Sequence, residues 1–208
     1  MKKYLMIFAV LLLCAACNDD DQEELEFNIY TAMDDENFIS ACKANYNING
    51  GKNVLTIAEA AAVSRLDVSR WGVSSLKGIE YFTGLTTLVC LGNLLQTLDV
   101  SKNTNLLELH CDINQLQTLD LSANTMLEFL SCSDNQLQTL DLSANTMLEF
   151  LFCSTNQLKA LDISANTELR WLYAQDNLFT EIIVWKGFSS AVLDIVEIDP
   201  GVTFKEKE

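Results

Sequence analysis

The chain has one proline, eight glycines and a single histidine in 208 residues. So few prolines and glycines exclude a Pro-rich or Gly-rich linker. One histidine, His110, leaves little material for acid–base catalysis or a His-based metal site. Positive charge is scarce as well, with 13 Lys and Arg against 29 Asp and Glu, a net charge of −16. Removal of a leader carrying Lys2 and Lys3 would leave 11 basic residues against 29 acidic ones. A surface of that sign repels phosphate backbones and anionic membranes, so nucleic acid is not an expected partner. No Ser or Cys nucleophile is paired with a base near His110, no glycine loop is built to cradle phosphate, and no carboxylate pair marks a pocket. The expectation is a protein without enzymatic activity, cofactor or resident metal. What is abundant is apolar: 49% of residues are hydrophobic and only 20% charged, which suits a globular unit.

Residues 1–16 read as a signal peptide. Lys2 and Lys3 form a basic end, and Tyr4 to Leu13 is an apolar run too short to span a bilayer. Cys14-Ala15-Ala16-Cys17 closes it. Small residues before a cysteine resemble the bacterial lipobox, which implies lipidation of Cys17, although Cys14 stands where that pattern has Leu, Val or Ile. The other route is cleavage after Ala16 to give a secreted soluble chain. Asn18-Asp19-Asp20-Asp21 then resembles the acidic export signal of certain surface lipoproteins, so 17–26 reads as a lipidated acidic tether. A solvated spacer is the plainer reading of the same run. The expected location is the bacterial outer membrane, surface-exposed, held by the lipid anchor.

A 21-residue period governs residues 63–184. It places leucines at Leu85, Leu106, Leu127, Leu148 and Leu169, and again at Leu88, Leu109, Leu130, Leu151 and Leu172. Two asparagine series keep the same step: Asn93, Asn114, Asn135, Asn156 and Asn177, and Asn103, Asn124, Asn145 and Asn166. Gln115 to Leu130 reappears unchanged as Gln136 to Leu151, the mark of a duplication. Written out, the unit is LxxLxCxxNxLxxLDLSxNTx. Its first half is the leucine-rich-repeat signature, in which L-x-L marks a short strand. One coil cannot bury its own leucines; stacked coils make a continuous core. The amides of the asparagines belong inside the turns, satisfying backbone groups that would otherwise be buried unpaired. Leu-Asp-Leu at 140–142 and its counterparts at 98, 119 and 161 alternate, which predicts a second extended segment with an outward column of Asp99, Asp120, Asp141 and Asp162.

Cys90, Cys111, Cys132 and Cys153 share one inward position of successive coils, and Ala174 ends the series. Parallel strands about 4.8 Å apart keep the Cβ vectors parallel, whereas a disulfide needs Cβ atoms near ~3.8 Å and a twisted dihedral. A tetrathiolate site needs sulfurs converging on a point rather than spread along a line. Free, buried thiols are expected. These 21-residue repeats with interior cysteine, followed by LDxSxNT, resemble the internalin J type of repeat. The resemblance implies a curved surface solenoid of adhesion type with a ladder of reduced cysteines.

The expected fold is therefore a leucine-rich-repeat solenoid of parallel β coils. Residues 27–62 would form a small helical N-terminal cap and 185–208 a β C-terminal cap. Helices are predicted over Glu36 to Asn45 and Ala58 to Ser64, and strands over Glu181 to Trp185 and Leu193 to Ile198. Between the helices, 47–59 resembles an EF-hand-like loop. Asn47 stands for the expected Asp, Gly51 fills an acidic position and an extra residue precedes Glu59, which argues against calcium.

On the strand face, one outward column reads Thr87, Glu108, Phe129, Phe150 and Trp171, and its neighbour Val89, His110, Ser131, Phe152 and Tyr173. Phe129, Phe150, Phe152, Trp171 and Tyr173 thus form an exposed apolar cluster, the candidate ligand-binding site. Its expected partner is a host or bacterial surface protein, or a glycan. Two plainer readings stand beside it: cross-strand stabilisation, or a structural lipoprotein of the cell envelope without an external ligand.

Overall fold

A computed structural model describes residues 28–45 and 54–208. The expected leader (1–16), the expected lipidated tether (17–26, with Cys17) and most of the EF-hand-like loop lie outside the described residues.

Helix α1 spans Glu36–Asn45. Asp35 begins it as N-cap, its Oδ1 accepting from the backbone N–H groups of Asn37 (2.9 Å) and Phe38 (3.0 Å). Helix α2 spans Ile57–Ala61, starting one residue earlier and ending three earlier than its sequence pattern predicts. The start is fixed by a capping box: Thr56 Oγ1 accepts from Glu59 N–H, and the Glu59 carboxylate accepts from Thr56 N–H. Past Ala61 the chain tightens, with Val63 N–H on the Ala60 carbonyl, and turns into the first coil, where the Ser64 carbonyl accepts from Thr86 and Thr87 just before the first strand. In this arrangement Glu59, the last position of the EF-hand-like pattern, serves a helix N-terminus. Gly84 lets the first coil close on this cap, since a Cβ there would lie 2.1 Å from the Ala61 carbonyl oxygen.

The solenoid is a curved stack of parallel coils. Strands β1 (Arg65–Asp67), β2 (Thr87–Val89), β3 (Glu108–His110), β4 (Phe129–Ser131) and β5 (Phe150–Phe152) pair in order, each parallel to the last. After β6 (Leu161–Asp162), strand β7 (Trp171–Tyr173) pairs with β5 and continues the sheet. Strand β8 is Glu181–Val184, β9 Ile195–Glu197 and β10 Thr203–Glu206. Strand β9 pairs with β7 and becomes the seventh strand of the main sheet. Meanwhile β10, β8 and β6 form a three-stranded parallel sheet. The C-terminal segment therefore adds to both sheets.

The leucine columns face inward and are closed to solvent, as are Cys90, Cys111, Cys132 and Cys153, each with no exposed surface. All four cysteines are free, and Cys42 of α1 is a fifth free, buried thiol among the described residues. Burial pushes their thiols up, that of Cys153 to about 12, so the unreactive thiol is the form the core holds.

The asparagines stitch coil to coil. Asn135 Nδ2 donates to the carbonyls of Cys111 (3.0 Å), Cys132 (3.1 Å) and Ser133 (3.2 Å), while its Oδ1 accepts from Leu116 N–H (3.0 Å). Asn114 and Asn156 repeat this pattern one coil away on either side. In the second series, Asn124 Nδ2 donates to Val100 and Asn103 carbonyls at 3.1 and 2.9 Å. Its Oδ1, like those of Asn103, Asn145 and Asn166, is buried without a hydrogen-bond partner. Each bend before a first-series asparagine has one left-handed residue: Gly92, Ile113, Asp134, Thr155 and Asp176 all have φ between 53° and 67°.

The predicted second extended segment forms a ladder strand only at β6. Elsewhere Asp99, Asp120 and Asp141 accept from the N–H groups of Ser101, Ser122 and Ser143 at 2.9–3.0 Å, which bends the chain into a turn. Asp162 does the same for Ser164, yet its strand also has a regular neighbour in β8, and Ile163 N–H reaches the Ile183 carbonyl at 2.8 Å. The neighbour decides the outcome.

Candidate functional site

Strand register sets the candidate side chains in two rows. Glu108, Phe129, Phe150, Trp171 and Ile195 stand opposite one another across β3 to β9; so do His110, Ser131, Phe152, Tyr173 and Glu197. The periodicity placed all five aromatics correctly on this face. Their exposure differs from the expectation: each is half-buried rather than open, because the rings cover one another.

The rings join across the two rows. His110 and Phe129 have centroids 4.5 Å apart, Phe129 and Phe152 5.3 Å, and Phe152 and Tyr173 4.8 Å, with interplanar angles of 31°, 29° and 10°. The result is one stack of four rings running across β3, β4, β5 and β7. Its passage through β4 depends on Ser131. That small side chain interrupts the second row between His110 and Phe152, and the Phe129 ring from the first row fills the gap. Phe150 is a duplicated copy of Phe129, but it has Phe152 two residues on instead of a serine. It contacts the Trp171 ring edge-on at 5.2 Å and 85°.

His110 was absent from the five sequence candidates, although the structure makes it the end of the stack. Its signal was present in the sequence, since it shares a column with Phe152 and Tyr173. Asp112 and Ser131 form a second feature not anticipated. The Ser131 hydroxyl donates to Asp112 Oδ1, which also accepts from Ser133 N–H at 3.1 Å, so this carboxylate ties β3 to the following coil. His110 Nε2 lies 3.8 Å from a Glu108 carboxylate oxygen.

The opposite face carries shallow, open notches, one of them lined by Thr139, Asp141, Ser143, Lys159, Asp162 and Lys207. Hydrogen bonds from Ser101, Ser122 and Ser143 hold Asp99, Asp120 and Asp141 below the usual carboxylate range. Lys207 closes the column on Asp162 at 2.9 Å. Among the described residues, no three His, Cys, Asp or Glu side chains converge as a metal site would require.

The functional domain of internalin J from Listeria monocytogenes, described as including a cysteine ladder, superposes with a TM-score of 0.71 and 29% identity. That match takes in 87% of this chain and 44% of the other. The chain is an internalin-like β-solenoid. Its cysteine-spaced repeat resembles the internalin J ladder, and 70 residues (34% of the chain) are 38% identical to internalin J of Listeria monocytogenes. Those residues span only 8% of that protein, so the chain matches a small part of it. An internalin (InlF) from the same species shares the fold alone, with a TM-score of 0.59, 19% identity, and coverage of 90% of this chain and 68% of that one. No protein-family model matches the chain.

Proposed function

We propose that this chain is a non-enzymatic surface protein of adhesion type that binds a protein or glycan through the strand face of its solenoid. The observation that carries the reading is the ring stack of His110, Phe129, Phe152 and Tyr173 with the adjoining Phe150–Trp171 pair, half-open on that face. Similarity to the functional domain of internalin J over 87% of this chain supports a binding role for the solenoid surface. Half-exposed aromatics contribute far more to an interface than their number suggests, and Trp most of all.

The test is to probe glycan and protein arrays with the protein and titrate the best hit by calorimetry. Trp171→Ala is expected to weaken binding by about 2 kcal/mol, roughly 30-fold, with a melting curve close to the parent's. Asp141→Ala on the opposite face is expected to bind like the parent. Parental affinity in the Trp171 variant would make the rings a strand-stabilising ladder. That outcome would move the recognition site elsewhere, whereas arrays without any ligand would favour the second reading, a structural envelope lipoprotein, for which mutual stacking of the rings is the supporting observation.

In the same proposal, lipid on Cys17 holds the solenoid outside the cell, a reading that rests on the small residues before this cysteine and the acidic run after it. The chain should be cleaved by protease added to intact cells, and a Cys17→Ala chain should leave the membrane fraction. Retention of that variant in the membrane would remove the tether.

A further inference from the structure

Building on the proposed strand-face role, we infer that the partner is a protein segment with an apolar centre flanked by lysine or arginine side chains. Two features of the face lead there. The first is the charge around the rings. Across the four coils that carry them, at 107–113, 128–134, 149–155 and 170–176, there are six carboxylates and one cation. Glu128 and Glu149 directly precede the aromatic strands β4 and β5, and Asp134 and Asp176 follow β4 and β7. The single cation, Arg170, is already held by Asp194 at 3.0 Å. An apolar centre with carboxylates before and after it fits a surface of the same anatomy and opposite sign.

The second feature is how the rings are used. A sugar stacks its flat face on an open ring face. Here Phe152 has Phe129 against it from the coil before and Tyr173 from the coil after. Phe150 and Trp171 meet edge to face. The interior of the strip therefore offers ring edges rather than open ring faces, a surface for aliphatic side chains rather than a platform for a pyranose. From β3 to β7 the strip crosses three coil steps, about 14 Å at ~4.8 Å per step. An extended segment of four to five residues covers that length at ~3.3 Å per residue.

The probe is an acetylated Lys-Leu-Lys-Leu-Lys-Leu hexapeptide, titrated into the full chain at physiological salt. Its controls are counterparts with Glu for every Lys or Ser for every Leu, and maltohexaose. The Lys-Leu peptide is expected to bind saturably, the Ser version at least tenfold more weakly, and the Glu version and maltohexaose not measurably. Trp171→Leu keeps apolar bulk and should lower affinity only two- to threefold, whereas Trp171→Ala should lower it about tenfold. The Glu128→Gln/Glu149→Gln pair should lower it at least fivefold, and Asp120→Asn/Asp141→Asn on the opposite face should not change it. Equal binding of the Ser peptide, or equal loss from the opposite-face pair, would reduce the effect to bulk negative charge and overturn the inference. Maltohexaose binding lost with Trp171→Ala would overturn it in favour of a glycan. An array ligand that needs Trp171 but is not displaced by the Lys-Leu peptide would sink the basic-partner inference alone and leave the strand-face function standing.

Discussion

Asp35→Ala should destabilise the protein by roughly 3 kcal/mol, although the residue lies outside the repeat. Both oxygens of its buried carboxylate are used. Oδ1 caps α1 through Asn37 and Phe38, while Oδ2 accepts from Ser74 N–H (2.7 Å), Ser74 Oγ (2.7 Å) and Ser75 N–H (3.2 Å) in the first coil. One side chain thus fastens the helical cap to the end of the solenoid, where an uncovered coil would expose core leucines. Asn is a poor substitute, because its amide nitrogen would point donors at donors on one side or the other. Asp35→Asn should therefore recover only part of the loss. Denaturant melts of the three proteins check this; a change below 1 kcal/mol in the Ala variant would show that apolar contacts alone hold the cap.

The same carboxylate makes the cap acid-sensitive. Burial by itself pushes the Asp35 carboxyl up, and hydrogen bonds from Ser74, Phe38 and Ser75 more than offset it, leaving it below the ordinary range. A lowered folded-state value means that the ionised form stabilises the fold. That contribution is complete above the unfolded value near ~3.9 and fades as pH falls through the folded one. Between about pH 5 and pH 2 the parent should lose stability more steeply than Asp35→Ala, so the two should converge. Parallel pH profiles would remove Asp35 as the cause.

Asn135→Ala should cost roughly 3 kcal/mol or more. It leaves the buried Leu116 N–H without its acceptor and strips the Cys111 and Cys132 carbonyls of one of their two amide donors, the others being Asn114 and Asn156, and all of these bonds lie within the core. The sharper variant is Asn135→Asp, which keeps the shape. A carboxylate still accepts from Leu116 N–H, but it turns an oxygen on the three carbonyls that Nδ2 now serves. At neutral pH it should be at least as damaging as the alanine, and it should recover partly in acid, where a protonated carboxyl regains a donor. Because each coil touches only its neighbours, hydrogen exchange should rise most around 111–137 and least in α1. A uniform rise along the chain would mean that the solenoid unfolds as one unit.

These effects lie at different depths in the sequence. The Asn135 role follows from the period alone. A polar residue repeating every 21 positions among leucines has to sit in a buried turn, and buried turns require amide partners. Asp35 carries no such sign, since its partners Ser74 and Ser75 are 39 and 40 residues away in a divergent coil. The cysteine column was equally legible, because parallel strands in register fix the distance and direction of every side chain in a row.

The amino-acid sequence by itself determined the solenoid, its inward leucines and cysteines, its asparagine turns and the two outward rows with their aromatics. A strict period translates directly into position when every coil stacks on an equivalent coil. Only the tertiary structure decided matters that depend on unlike neighbours. It paired Leu161–Asp162 as a strand because β8 lay beside it, while Asp99, Asp120 and Asp141 stayed in turns. It carried the C-terminal segment into the main sheet through β9. It also made a single four-ring stack out of two rows, by letting Phe129 lean over Ser131 towards His110 and Phe152. Side-chain rows are fixed by backbone register, but contacts between rows depend on which positions are small enough to be covered, and a repeat pattern does not encode that choice.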